Sequence, residues 1–200
     1  MLAPYHAVLD FWFGPLVDDT VVANRQSGLW WSKDPEVDAD MRERFAELVL
    51  QAQSGALDDW LPEPRGRLAL ILLVDQFTRN IYRDSPEAFA GDAKARQWCR
   101  EGLACHADRQ LRPIERVFFY LPLEHSEDAE DQQQSVTLFR ELASQVSASQ
   151  MKTFAFFLTF AIRHQDIIQR FGRFPHRNRI LGRESTAEEV VFLTEPGSSF

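Results

Sequence analysis

Apolar residues return along this chain at helical spacing almost throughout, and no stretch alternates in the two-residue period of a half-buried strand. Val37, Met41, Phe45, Leu48 and Ala52 make one stripe in steps of three and four. Asp34 suits the N-cap of that helix, Pro35 its first position and Gly55 its end. Residues 68–82 (LALILLVDQFTRNIY) begin apolar on every face, which predicts a central, buried helix whose second half turns polar. Further helices are predicted after Asp92 as cap, from Pro113 through Phe119 with Pro122 as terminator, and after the turn EHSEDAED. The longest is predicted over 147–171, with Gly172 and Pro175 behind it, and Thr186 with Glu189 shows capping-box spacing before a last one. The pattern predicts an all-α array of about seven to nine helices forming one domain over 1–200.

At 200 residues the chain can bury roughly 70% of its unfolded surface, so it needs neither disulfides nor a structural metal to fold. Its composition, 44% hydrophobic and 26% charged, excludes collagenous, disordered and cysteine-stapled classes. Cys99 and Cys105 stand without a second pair and read as reduced thiols. Asp10 breaks the apolar start and no basic segment precedes it, so no secretory signal is predicted. The apolar run Thr153–Ile162 is too short to span a bilayer. The expectation is a cytoplasmic protein with no membrane contact.

Charge narrows the partners. The net charge is −8, yet residues 163–183 hold six arginines and one acid, Asp166. The acidic remainder argues against nucleic acid, although Phe171 and Phe174 among arginines resemble a stacking surface. No Walker loop, G-x-G-x-x-G, H-E-x-x-H, G-x-S-x-G or C-x-x-C occurs, so the sequence assigns no cofactor and no metal.

Three polar blocks interrupt the apolar pattern. In the first, Asp75 lies four residues before Arg79 and Gln76 four before Asn80, so each pair shares a helix face. These are either an internal ion pair with capping groups or one wall of a polar pocket. In the second, His125 stands among Glu124, Glu127 and Asp128; neighbouring carboxylates fix a histidine's tautomer and raise its pKa, as acid–base chemistry needs. The bland alternative is that Ser126 or Asp128 caps the next helix. The third, 170–183, projects Arg170, Arg173, His176, Arg177, Asn178, Arg179 and Arg183 from a segment punctuated by Gly and Pro. Forked guanidiniums match carboxylate and phosphate oxygens, but they can equally pair with Glu124, Glu127 or Asp75. His164, alone on an apolar face, reads as a core histidine.

VLDFWFG at 8–14, WW at 30–31, LALILLVDQFTRNIYR at 68–83, FYLPLEHSEDAEDQ at 119–132 and RFGRFPHRNRILGRESTAEEVVFL at 170–193 together resemble the bacterial DUF924 family over essentially the whole chain. The resemblance implies a tetratricopeptide-like, right-handed α–α superhelix, although the tetratricopeptide consensus is not visible, and it implies no mechanism. The family more often has Pro where this chain has Thr78, which leaves the helix end there open.

These observations lead to the expectation that the three blocks converge on one cleft for a small phosphate- or carboxylate-bearing ligand. Arg79, Arg170, Arg173 and Arg177 grip the anion. His125 with Glu124 or Glu127 supplies acid–base capacity for hydrolysis or proton transfer. Asp75 and Gln76 line the wall, and Asn80, His176 and Asn178 orient the ligand. The alternative is a non-enzymatic adaptor for a peptide or protein, with the same residues forming a structural ion network. A metal site needs His125, Glu127, His164 and His176 to meet.

Overall fold

The computed structural model describes residues 3–15 and 17–199. Among them there is no strand, and the chain is all-helical. Local chemistry sets the helix ends. Asp18 accepts from the Thr20 and Val21 amides and opens α2 (Asp19–Trp31), which follows α1 (Tyr5–Phe13). Asp34 does the same for α3 (Pro35–Ser54), which Gly55 ends in the left-handed conformation that glycine adopts freely.

The central rod differs from a plain α-helix. It runs as α4 (Pro64–Ile71), a π-helical stretch over Leu72–Phe77, and α5 (Thr78–Ile81). Residues 68–74 are fully buried, as their all-round apolarity predicts. The Thr78 hydroxyl donates to the carbonyls of Val74 and Asp75, two acceptors the wide turn exposes, and the rod continues through Thr78. The π turn also changes which side chains meet. Gln76 Nε2 donates to Asp75 rather than lying against Asn80, and Asn80 donates to Asp38 on α3.

Two expectations need correction. Asp92 is the first residue of α6 (Asp92–Ala104), behind Gly91, and caps nothing; its carboxylate is taken by arginine. Pro122 does not end α7 (Pro113–Glu124). Proline removes one N–H from the ladder, and α7 still closes two residues later, with the His125 amide donating to Leu121 O at 2.8 Å. That extra half-turn carries Glu124 and His125 to the helix end.

Asp128 caps α8 (Ala129–Gln145), which packs along α9 (Met151–Phe171); Gly172 closes α9 in the left-handed region. A 3-10 turn, Pro175–Arg177, and α10 (Ala187–Phe192), opened by the Thr186/Glu189 box, complete the chain. α7 packs against α2, α4, α6, α8, α9 and the π stretch, so its side chains form the middle of the main core. Trp12, Phe13, Trp30 and Phe118 cluster there edge to face. Ile167, Ile168, Phe174 and Phe192 make a second, smaller apolar cluster that holds the C-terminal segment on α9. No described helix is long and apolar enough to cross a membrane.

Candidate functional site

A cavity of about 770 Å³ opens where the ends of α2, α5 and α7 meet α9 and the 175–180 segment. Of the sequence-derived candidates, Gln76, Arg79, Asn80, Glu124, His125, His176 and Arg177 line it. Asp75 lies fully buried directly behind His125. The three polar blocks therefore meet, because the π stretch, the end of α7 and the 3-10 turn all terminate at the same place.

The floor is a chain of hydrogen bonds. His125 Nδ1 sits 2.8 and 3.0 Å from the two Asp75 carboxylate oxygens. Burial would raise the Asp75 pKa, but the charge of Arg79, the charge and hydrogen bond of His125 and the Gln76 amide together hold it well below the usual carboxylate range. Burial, with help from Arg79 and Arg177, outweighs Asp75 at His125 and lowers its pKa. His125 is therefore neutral near pH 7 and donates Nδ1–H to Asp75, which leaves the Nε2 lone pair on the cavity side. That is the tautomer of a general base.

Glu124, beside it, behaves in the opposite way. Burial, and then the Asp75 charge, push its pKa up to about 8, so it is a carboxylic acid near neutral pH. Its nearest basic neighbour is His164, whose Nδ1 lies 3.1 Å from Glu124 Oε1 and 2.9 Å from the Phe160 carbonyl. Burial, and next the neighbouring His125, lower the His164 pKa well below the ordinary value, so the contact joins two neutral groups and is no ion pair. His164 thus belongs to the cavity wall, its ring 6.2 Å from that of His125, rather than to the core. His176 is driven down to about 3, by burial first and by Arg177 next.

Two guanidiniums close the floor. Arg79 is bidentate to Asp92 at 2.9 and 3.2 Å, with Asp75 at 3.5 Å. Arg177 reaches Asp92 only at 3.5 Å. It is 7% exposed, clamped between the rings of Phe89 and Phe174 at 4.9 and 4.5 Å, and its buried Nε has no partner. Burial, with Arg79 adjacent, lowers its pKa to about 10.

The other candidates are turned elsewhere. Arg170 pairs with Glu188 at 2.8 Å, Arg173 is bidentate to Glu189 at 2.6 and 2.7 Å, and Asn178 donates to Ser185 and Glu189. Glu127 accepts from Arg183 at 2.6 and 2.9 Å and from the Phe174 amide at 2.8 Å, and none of these residues lines the cavity. Glu127 therefore does not meet the three histidines, and among the described residues no group of three or more His, Cys, Asp or Glu side chains is placed to hold a metal ion.

With this geometry in view, the comparisons place the chain. The family model described as "Bacterial protein of unknown function (DUF924)" matches residues 8–197. The chain belongs to the DUF924 family. A solved structure similar to this DUF924 chain is the protein of unknown function ATU0120 from Agrobacterium tumefaciens. It is 35% identical with a TM-score of 0.80, and the match covers 95% of this chain and 96% of that one. No curated protein matches.

Sequence reasoning missed Asp92, because an acid at a helix start reads as a cap, and the wall rings Phe89, Phe156, Phe157 and Phe160. The signal available for the rings was α9 itself, whose phenylalanines at 154, 156, 157 and 160 cover too wide an arc for one buried stripe.

Proposed function

We propose that the cleft binds a small molecule carrying a phosphate or carboxylate, with Arg177 and Arg79 facing the anion. The observation that carries this reading is Arg177, a guanidinium 7% exposed whose Nε is unpartnered and whose one carboxylate is already engaged twice by Arg79. Buried cations are ordinarily matched by charge and hydrogen bonds, and a bound anion supplies both. Lys33, Arg163 and Arg179 at the rim add positive potential.

The floor supports acid–base chemistry on that ligand. His125, oriented by Asp75, takes a proton from water or from the substrate through Nε2. Glu124, protonated near neutral pH, has a proton to give to a leaving group. Hydrolysis or proton transfer is the reaction class this pair serves. Both cysteines are unpaired thiols, which supports a cytoplasmic setting. α6, α7, α8 and α9 pack successively, each on the next, which supports a tetratricopeptide-like α–α arrangement.

Thermal melts in rising inorganic phosphate test the anion site. The wild type gains stability as phosphate passes its dissociation constant, Arg177→Met does not, and Arg173→Met still does. A wild type indifferent to phosphate and to small carboxylates would sink this reading.

A further inference from the structure

Above the polar floor the cavity walls change character. Trp31, at the end of α2, and Phe156 and Phe157, on α9, line its outer part. Trp31 packs on Phe157 at 6.3 Å, and Phe157 stands edge-on to Phe156 at 6.1 Å. Phe157 is buried, yet Trp31 remains 49% exposed and Phe156 54% exposed. Isolated surface aromatics need no explanation, but two large, half-exposed rings flanking the mouth of a cavity with a cationic floor form a built apolar wall.

We infer that the ligand of this cleft is an amphiphile with a singly charged head, a carboxylate or the monoanion of a phosphate ester, and an apolar body lying along Trp31, Phe156 and Phe157. This rests on the reading of Arg177 as the anion's partner. The single charge follows from the floor's own carboxylates. The Asp75 and Asp92 carboxylates already lie against the two guanidiniums, so one under-partnered guanidinium can be satisfied, whereas a polyphosphate would press further charge against the two aspartates. The apolar body follows from the walls. A free phosphate or acetate would leave both rings in water, whereas an alkyl or aryl group covers them without demanding any hydrogen bond from the wall.

The experiment is a pair of ligand series measured by calorimetry, kept below their micelle concentrations. Acetate, butyrate, hexanoate and octanoate form one; inorganic phosphate, butyl phosphate and octyl phosphate form the other, and the two distinguish the head groups. Affinity should rise by about fourfold for each methylene that reaches the wall. Phe156→Ser, at an exposed position, should flatten that rise while leaving acetate and phosphate affinity within twofold. Arg177→Met should weaken short and long members alike. If acetate or phosphate binds and the long-chain members bind no tighter, the amphiphile inference fails and the anion site stands. If octanoate binds tightly but Phe156→Ser leaves the rise intact, the body lies elsewhere and the inference is overturned. If long-chain members bind Arg177→Met as well as the wild type, the head is not read by Arg177 and both readings fall.

Discussion

The cleft floor and the C-terminal arginine network draw on the same stretch of chain and solve the burial of charge in opposite ways. In the network every arginine has its own carboxylate: Arg170 with Glu188, Arg173 with Glu189, Arg183 with Glu127, and the last two pairs are bidentate. Apart from the buried Glu189 these groups are partly exposed, and their work is to fasten the 170–193 segment to the helices behind it. In the floor Arg79 lies against both Asp75 and Asp92, and the more buried Arg177 has no carboxylate of its own and reaches Asp92 only at 3.5 Å. A set of charges that closes on itself is structure. One that stops a partner short, at the wall of a cavity, is prepared for something from outside. Arg173 and Arg177 are four residues apart and fall on different sides of that line.

The widest separation of the two regions comes from Asp92→Asn. It leaves two buried guanidiniums without their shared counter-charge, and loss of one partner from a buried pair costs roughly 3–5 kcal/mol. Urea denaturation should show that loss, and added phosphate should recover part of it because an anion can stand where the carboxylate stood. A cost no greater than that of breaking a network pair would erase the distinction.

Of similar size is a pH effect confined to the floor. Glu124 binds its proton more tightly folded, with a pKa of about 8, than unfolded, near 4.5. Its contribution is therefore fully present below about pH 4.5 and is lost as pH rises through 8. His125, His164 and His176 bind protons less tightly folded than their ordinary 6.5, so they withdraw stability as pH falls below 6.5. Stability should therefore peak near pH 6.5 and decline toward pH 8. Glu124→Gln, which keeps the shape of the neutral acid, should remove that upper decline, a gain on the order of 5 kcal/mol at pH 9. Melts of both proteins from pH 5 to 9.5 check it, and parallel curves would mean that Glu124 is ionised in the fold.

Arg183→Met tests the network side. Glu127 keeps the Phe174 amide when the guanidinium is gone, so about 1–2 kcal/mol should be lost. The phosphate response should be unchanged. A lost response would join the two regions into one system.

What could be read in the sequence follows the same division. Helix positions, the caps Asp34 and Asp128 and the Thr186/Glu189 box were legible because they depend on neighbours in the chain. The convergence of the three blocks was legible as pattern, since each interrupts an apolar run. Which arginine faces the cavity was not, because Arg173 and Arg177 differ only in what lies opposite them after folding: Glu189 in one case, Asp92 in the other. The π stretch was hidden for a related reason. A widened turn over LLVDQF leaves composition unchanged and redirects Gln76 from Asn80, the partner that α-helical spacing assigns, to Asp75, while Arg79 keeps Asp75 and adds Asp92.

The smallest change in stability should come from the most buried of these arginines. Arg177→Met removes a cation that the fold holds at a cost, as its lowered pKa of about 10 records. Asp92 is not stranded, because Arg79 still engages both of its oxygens. The methionine stem and sulfur can occupy the slot between Phe89 and Phe174, replacing the lost cation–π contact with sulfur–aromatic packing. These effects oppose one another, and stability in phosphate-free buffer should stay within about 1 kcal/mol of the wild type. A drop several times larger would make Arg177 a structural cross-link of the same kind as Arg173, and the contrast between the two regions would collapse. A finer readout is His176, held at about 3 by burial and then by the Arg177 charge. In the variant the second of these causes is gone, so the His176 imidazole resonances should titrate at higher pH than in the wild type, which shows that the charge felt across the floor belongs to Arg177.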